Sequence, residues 1–181
     1  MSAAALALRG AATGERWTLT GGRVLHLRPL APGDAAAEQA FFNGLSLDSR
    51  VLRFHFGLRE LSPSLLKLLT EVDQRLHRAW VLALPGPETA IVADARFVAD
   101  PARTGAAEFA LAVADAWQGR GLGRRLMAHL ITEARRQGLH ELSGDVLADN
   151  RRMLALLRDL GVRLLGHPDG PQLIRAEMTL N

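Results

Sequence analysis

Trp117 to Arg125 reads WQGRGLGRR, with Gly119, Gly121 and Gly123 at every second position and a helical pattern directly behind them. A glycine loop that follows a strand and opens a helix offers free backbone N–H groups and the positive end of a helix dipole, which together suit an anion. Arg120, Arg124 and Arg125 add positive charge. Two phosphate-binding patterns fail here. There is no Gly-Lys-Ser/Thr, and the third position of G-x-G-x-x-G falls on Arg124 or Leu126, depending on the starting glycine. What remains is Gln118-x-x-Gly121-x-Gly123, read either as a phosphate loop or as a turn that lets strand and helix pack. Upstream, Glu108 in AAEFALAV is a carboxylate among small apolar neighbours. Strand alternation puts it on one face with Ala110 and Ala112, and Phe109, Leu111 and Val113 on the other. Partial burial there would raise its pKa toward the range useful for proton transfer, and a solvated strand glutamate is the alternative. Downstream, Asn150 in ADNRRM occupies a helix N-cap position.

The elements that must position these groups follow from periodicity and breakers. Arg23–Leu30 alternates as a strand, and APGD supplies a turn with Asp34 as N-cap of AAAEQAFFNGL. SLDSRVLRFHFG reads as a helical turn and connector, and Ser62-Pro63 opens a helix. RAWVLALPG and TAIVADARFVAD read as strands joined by a Pro-Gly turn, and AAEFALAVADAW as another. The long helix runs roughly from Gly121 to Gln137, with Leu122, Leu126, Leu130 and Ala134 on one stripe and Gly138 at its end. HELSGDVLA is a strand, NRRMLALLRDLG a helix closed by Gly161, and RLLGH and LIRAEMTL strands around PDGP. The order, β-α-α-β-β-β-α-β-α-β-β, is that of an α/β domain with a mixed sheet.

Composition narrows the chemistry. The 181 residues are globular in composition, with no apolar run long enough to span a membrane. The first 20 residues are expected to form a flexible tail before a domain at 21–181, in a cytoplasmic protein. With no cysteine, thiolate metal sites and a cysteine nucleophile are excluded, and the six histidines show no ligand grouping, so no metal site is expected. The isoelectric point of 10.8 reflects missing Tyr and Cys and a single lysine, Lys67, since the net charge is only +3. The arginines are dispersed, which argues against a nucleic-acid partner.

The Gln-x-x-Gly-x-Gly loop resembles the pyrophosphate loop of the GCN5-related N-acetyltransferases, the GNAT family, and the resemblance extends over about residues 22–180. It implies a mixed, mostly antiparallel sheet of six to seven strands flanked by about four helices, and acetyl-CoA as cofactor. By this resemblance, Leu111 and Val113 are main-chain contacts of pantetheine. The backbone of Gln118, Gly119, Arg120, Gly121, Leu122, Gly123 and Arg124 binds the pyrophosphate, Asn150 hydrogen-bonds the cofactor, and Met153 packs beside it. A narrower likeness is carried by SLDSRVLRFHFGLRELSPSLLKLLTEVDQRLHRAWVLAL, AAEFALAVADAWQGRGLG and ADNRRMLALLRDLG, which look like the acetyltransferase domain of Pat-type bacterial protein-lysine acetyltransferases. In those proteins the acidic residue of AEFA is the proposed base, which here is Glu108.

The implied activity is acetyl transfer to a primary amine, with a protein lysine as acceptor. A small-molecule amine acetyltransferase and a non-catalytic acetyl-CoA sensor are the alternatives. Many GNAT enzymes protonate the leaving thiolate with a tyrosine from the last major helix. This chain has no tyrosine, and the corresponding region offers Leu156 and Leu157. Arg50, Arg53 and His55 lie in the connector that often walls the acceptor side in this fold, where they would meet an acidic group or play structural roles. Either a monomer or a homodimer is compatible with the sequence.

Overall fold

A computed structural model describes residues 14–55, 57–86 and 90–181. The described residues form eight strands: β1 Glu15–Thr18, β2 Val24–Pro29, β3 His77–Ala83, β4 Ile91–Ala99, β5 Ala106–Val113, β6 Glu141–Leu147, β7 Arg163–Gly166 and β8 Leu173–Thr179. The five α-helices are α1 Ala35–Gly44, α2 Leu47–Phe54, α3 Pro63–Thr70, α4 Leu122–Arg136 and α5 Arg151–Asp159. The strands make one sheet in the order β1-β2-β3-β4-β5-β6-β8-β7. Every neighbouring pair is antiparallel except β5 and β6, whose parallel pairing covers only Ala106↔Glu141, Ala107↔Leu142 and Glu108↔Ser143. Beyond Glu108 the two strands part.

The helices cover both faces of the sheet. On one, Leu122, Leu126, Leu130 and Ala134 of α4 are buried against Phe97, Phe109 and Leu142. Burying each leucine contributes about 1.5–3 kcal/mol. On the other, Phe41 and Leu45 from α1 and the turn after it pack with Ala79 and Val81 of β3 and with Ala112. Gly138 and Gly161, each at φ +75°, follow the ends of α4 and α5.

Three expectations need correction. The sheet has eight strands rather than six or seven, and five helices flank it where about four were expected, which agrees. The additional strand, β1, comes from the segment assigned to a flexible tail. Residues 1–13 lie outside the described residues, but Glu15–Thr18 pairs with β2, and Trp17 is 2% exposed under the stacked Arg125 guanidinium. A four-residue edge strand with one buried aromatic is too short to show alternation. Helix α2 is capped by Ser46, whose hydroxyl accepts from the Ser49 N–H. Asp34 does not cap α1 with its side chain. Its carboxylate pairs with both terminal nitrogens of Arg28 at 2.6 and 2.7 Å and accepts from the Ala31 N–H at 2.8 Å.

Candidate active site

The parting of β5 and β6 opens a cleft of about 640 Å³, bounded by α2, the outer half of β5, the glycine loop, the end of β6 and the start of α5. Its geometry begins with the ladder. Asp100 N–H donates to Ala106 C=O and Ala114 N–H to Val92 C=O. Hydrogen-bonded residues alternate in an antiparallel pair. The even-numbered residues of β5 therefore bond to β4, and the odd-numbered ones turn their N–H and C=O groups toward β6. Where β6 has departed, the peptide groups of Leu111 and Val113 face the gap. The Val113 carbonyl is taken by the Gln118 side-chain amide at 3.0 Å, which leaves the Val113 N–H.

Gly119 (φ +73°) and Gly121 (φ +75°) hold the left-handed conformation that turns the chain into α4. A Cβ at either would meet nothing within 4 Å, so the backbone angle requires glycine there, rather than crowding. Gly123 differs: its φ is ordinary, and a Cβ would sit 3.7 Å from the Leu156 side chain. Six consecutive N–H groups, from Gly119 to Arg124, have no hydrogen-bond partner among the described residues. The expected run was one residue longer, but the Gln118 N–H donates to Asp115 C=O at 3.2 Å. Exposed N–H groups at a helix N-terminus fit the pyrophosphate of a nucleotide-bearing cofactor.

The structure gathers Glu108, Leu111, Val113, Gln118, Gly119, Gly121, Leu122, Gly123, Asn150 and Met153 into the wall of this one cleft. The side chains of Arg120 and Arg124 lie outside it. Arg120 reaches the Ala116 carbonyl and lies over the Trp117 ring, and Arg124 pairs with Asp159 at 2.6 Å. Gln118 acts as a strap, donating to Val113 C=O and the Ser49 hydroxyl while its Oε1 accepts from Arg152. Asn150 caps α5, its Oδ1 accepting from the Met153 N–H at 3.2 Å, and still faces the cleft. Leu156 lines the cleft where a tyrosine was sought, and Leu157 is fully buried.

Glu108 stands at the point where β5 and β6 part, on the face shared with Ala110 and Ala112. The partial burial expected for it is not found: the residue is exposed, because Ala110 and Ala112 are too small to wall it in. His129 of α4 is half-buried with its ring edge-on to Trp80 at 5.0 Å, and burial lowers its pKa.

Several residues around the cleft escaped sequence reasoning. Asp115 accepts from the Ser46 N–H and from both the Ser46 and Ser49 hydroxyls at 2.8–2.9 Å, pinning α2 to the loop. Burial pushes its carboxyl up, but these hydrogen bonds outweigh burial and hold it below its ordinary value. Beneath the α2 side of the cleft lies a buried charge cluster. Asp94 accepts from Arg96 at 2.5 and 3.2 Å, and Arg96 also reaches Glu38 and the Leu69 carbonyl. Burial, then the charge of Asp94, raises Glu38 to about 8 against the opposing Arg96 and Arg53, and its Oε2 has no partner among the described residues. The legible signal was VADARF itself: two opposite charges two residues apart on one face of an otherwise apolar strand.

Comparisons with known proteins agree with this architecture. Residues 51–162 match the family model described as Acetyltransferase (GNAT) family. The chain is 37% identical to Acetyltransferase PA5475 of Pseudomonas aeruginosa over 154 residues, covering 83% of this chain and 82% of that protein. It is 36% identical to Acetyltransferase Pat of Mycolicibacterium smegmatis over 141 residues, covering 77% of this chain but only 41% of that longer protein. Among solved structures, the GNAT domain of S. lividans PAT superposes with a TM-score of 0.83 at 25% identity, over 92% of this chain and 97% of that one. A cAMP-binding acyltransferase from Mycobacterium smegmatis matches with a TM-score of 0.65 at 31% identity, over 96% of this chain and 50% of that one. The parted strands, the unpaired loop N–H groups and these likenesses agree: the chain belongs to the GNAT family of acetyltransferases, which use acetyl-CoA as the acetyl donor.

Proposed function

We propose that this chain transfers the acetyl group of acetyl-CoA to the side-chain amine of a protein lysine, by direct attack in a ternary complex. The observation that carries the reading is the position of Glu108. It is the carboxylate on the open face of β5 at the mouth of the gap, between the loop N–H groups and the connector side of the cleft. The likeness to Pat-type protein-lysine acetyltransferases supports lysine as acceptor.

The chain's own groups divide the work. Acetyl-CoA supplies an acetyl thioester. The N–H groups of Gly119 to Arg124 hold the pyrophosphate, and the Leu111 and Val113 peptides hold the pantetheine arm. Glu108 takes a proton from the acceptor ammonium, directly or through one water, so that the neutral nitrogen can form its bond to the acetyl carbon. The Leu111 N–H, turned to the gap, donates to the carbonyl oxygen as charge develops there. The C–S bond then breaks. The chain holds no cysteine for a covalent intermediate and no tyrosine to protonate the leaving sulfur; the attacking nitrogen loses its second proton as the amide forms, and water carries a proton to the thiolate.

The test is Glu108→Gln. Acetyl-CoA affinity by calorimetry should stay within twofold of wild type, while turnover at neutral pH drops by about 10²–10⁴. A rate near wild type across the pH range would remove Glu108 from the base role.

A further inference from the structure

We infer that Arg53 receives a carboxylate carried beside the acceptor amine, which makes the preferred acceptor an amine flanked by an acid rather than any exposed lysine. The inference rests on the acetyl-transfer reading and narrows its substrate class. The source of the carboxylate is a neighbouring Asp or Glu of a peptide lysine, or the α-carboxylate of a free amino acid.

The argument starts from an arginine whose pairing is incomplete. Arg53 lies in the last turn of α2, and its side chain is 14% exposed, lining the same cleft as Glu108. Its acidic partner among the described residues is Asp94 at 3.8 Å, too far for a hydrogen bond. Both oxygens of Asp94 are already committed to Arg96. The fourth member of the cluster, Glu38, has its pKa raised by burial and then by Asp94, which weakens it as a partner for Arg53. Asp94 is therefore spent on Arg96, and the other carboxylate whose charge reaches Arg53 is Glu108, on the wall of the same cleft. The Arg53 guanidinium carbon lies over the Phe54 ring, 4.8 Å from its centroid, which restrains its position.

A guanidinium is a rigid fork of N–H donors matched to the two oxygens of a carboxylate. Burial magnifies both the cost of leaving those donors unfilled and the gain from filling them. Space for the ligand is present, because Ala110 and Ala112, on the same face as Asp94, Arg96 and Glu108, leave a hollow beside α2. Glu108 and Arg53 thus offer opposite charges within one cleft. The carboxylate reads the amine, and the guanidinium reads an acid carried beside it.

The experiment measures binding to the CoA-loaded protein, so that no turnover is needed. Calorimetric titrations compare the capped dipeptides Glu-Lys and Gln-Lys, and free lysine with lysine amide. The carboxylate-bearing member of at least one pair should bind about tenfold or more tightly. The pair that shows it identifies the source: the first, a neighbouring side chain; the second, the α-carboxylate. Arg53→Met should abolish the difference with CoA affinity unchanged, and Arg53→Lys, which keeps the charge but loses the fork, should retain only part of it. Glu108→Gln should keep the preference while losing turnover, which separates this inference from the catalytic reading. Equal binding within both pairs, a preference that survives in Arg53→Met, or no detectable binding of any of the four would overturn it. Should the Met variant fail to fold, a full preference in Arg53→Lys would overturn it equally.

Discussion

Replacing Gly121 with alanine tests whether the left-handed loop is what presents the N–H groups to acetyl-CoA. At φ +75° an L-residue carries a net penalty of about 1 kcal/mol relative to glycine. The added methyl group meets nothing within 4 Å, so no steric term is added. The penalty has two outlets. If the loop keeps its shape, folding bears it, and the melting temperature falls by about 2–4 °C for a chain of this size. If the loop relaxes to negative φ, stability is preserved, the N–H groups rotate, and acetyl-CoA must restore them at a loss of about fivefold in affinity. The two losses share one free energy, so their sum should be near 1 kcal/mol however it divides. The assay pairs thermal melting with calorimetric titration of acetyl-CoA and of acetyl-pantetheine, which lacks the pyrophosphate. Any affinity lost for acetyl-CoA should be absent for acetyl-pantetheine. Unchanged stability together with unchanged affinity would refute the reasoning, as would equal weakening of both donors.

Other consequences follow from the same structure. Glu38 is raised from an ordinary 4.5 to about 8, so between those values the folded protein holds a proton that the unfolded chain has released, and stability falls as pH rises through that window. Glu38→Gln mimics the protonated form and removes this slope. Its melting temperature should therefore fall less than wild type between pH 5 and pH 8, and parallel curves would show that Glu38 ionises normally. Trp17 anchors β1 beneath Arg125, so Trp17→Ala should lower stability in urea titrations by about 3–5 kcal/mol. A loss under 1 kcal/mol would return this segment to the status of a tail.

Much of the site was legible because its requirements are local. Left-handed angles at Gly119 and Gly121 demand glycine whatever surrounds them, and a strand before and an apolar stripe after mark the loop as a helix N-terminus. Glu108 was legible as the one acid in an apolar strand, but its surroundings were not. Its exposure depends on what packs over Ala110 and Ala112, and alternation gives a side chain's face without saying what covers that face. Arg50 illustrates the same limit in another direction. In the sequence it was equivalent to Arg53, yet it donates to the carbonyls of Asn43, Leu45 and Arg59 and holds the connector together.

By itself, the amino-acid sequence determined the order of most elements, the cofactor loop, the absence of a cysteine or tyrosine route and the face on which Glu108 lies. Each of these depends on residue type or on spacing within one element. Tertiary structure alone decided where β5 and β6 part, that β1 joins the sheet, that Gln118 is a strap, and that Asp94 serves Arg96 and leaves Arg53 with its donors turned to the cleft. Those outcomes are competitions between groups on different elements for the same hydrogen-bond acceptors and the same buried space. Only the assembled sheet brings the competitors within reach of one another.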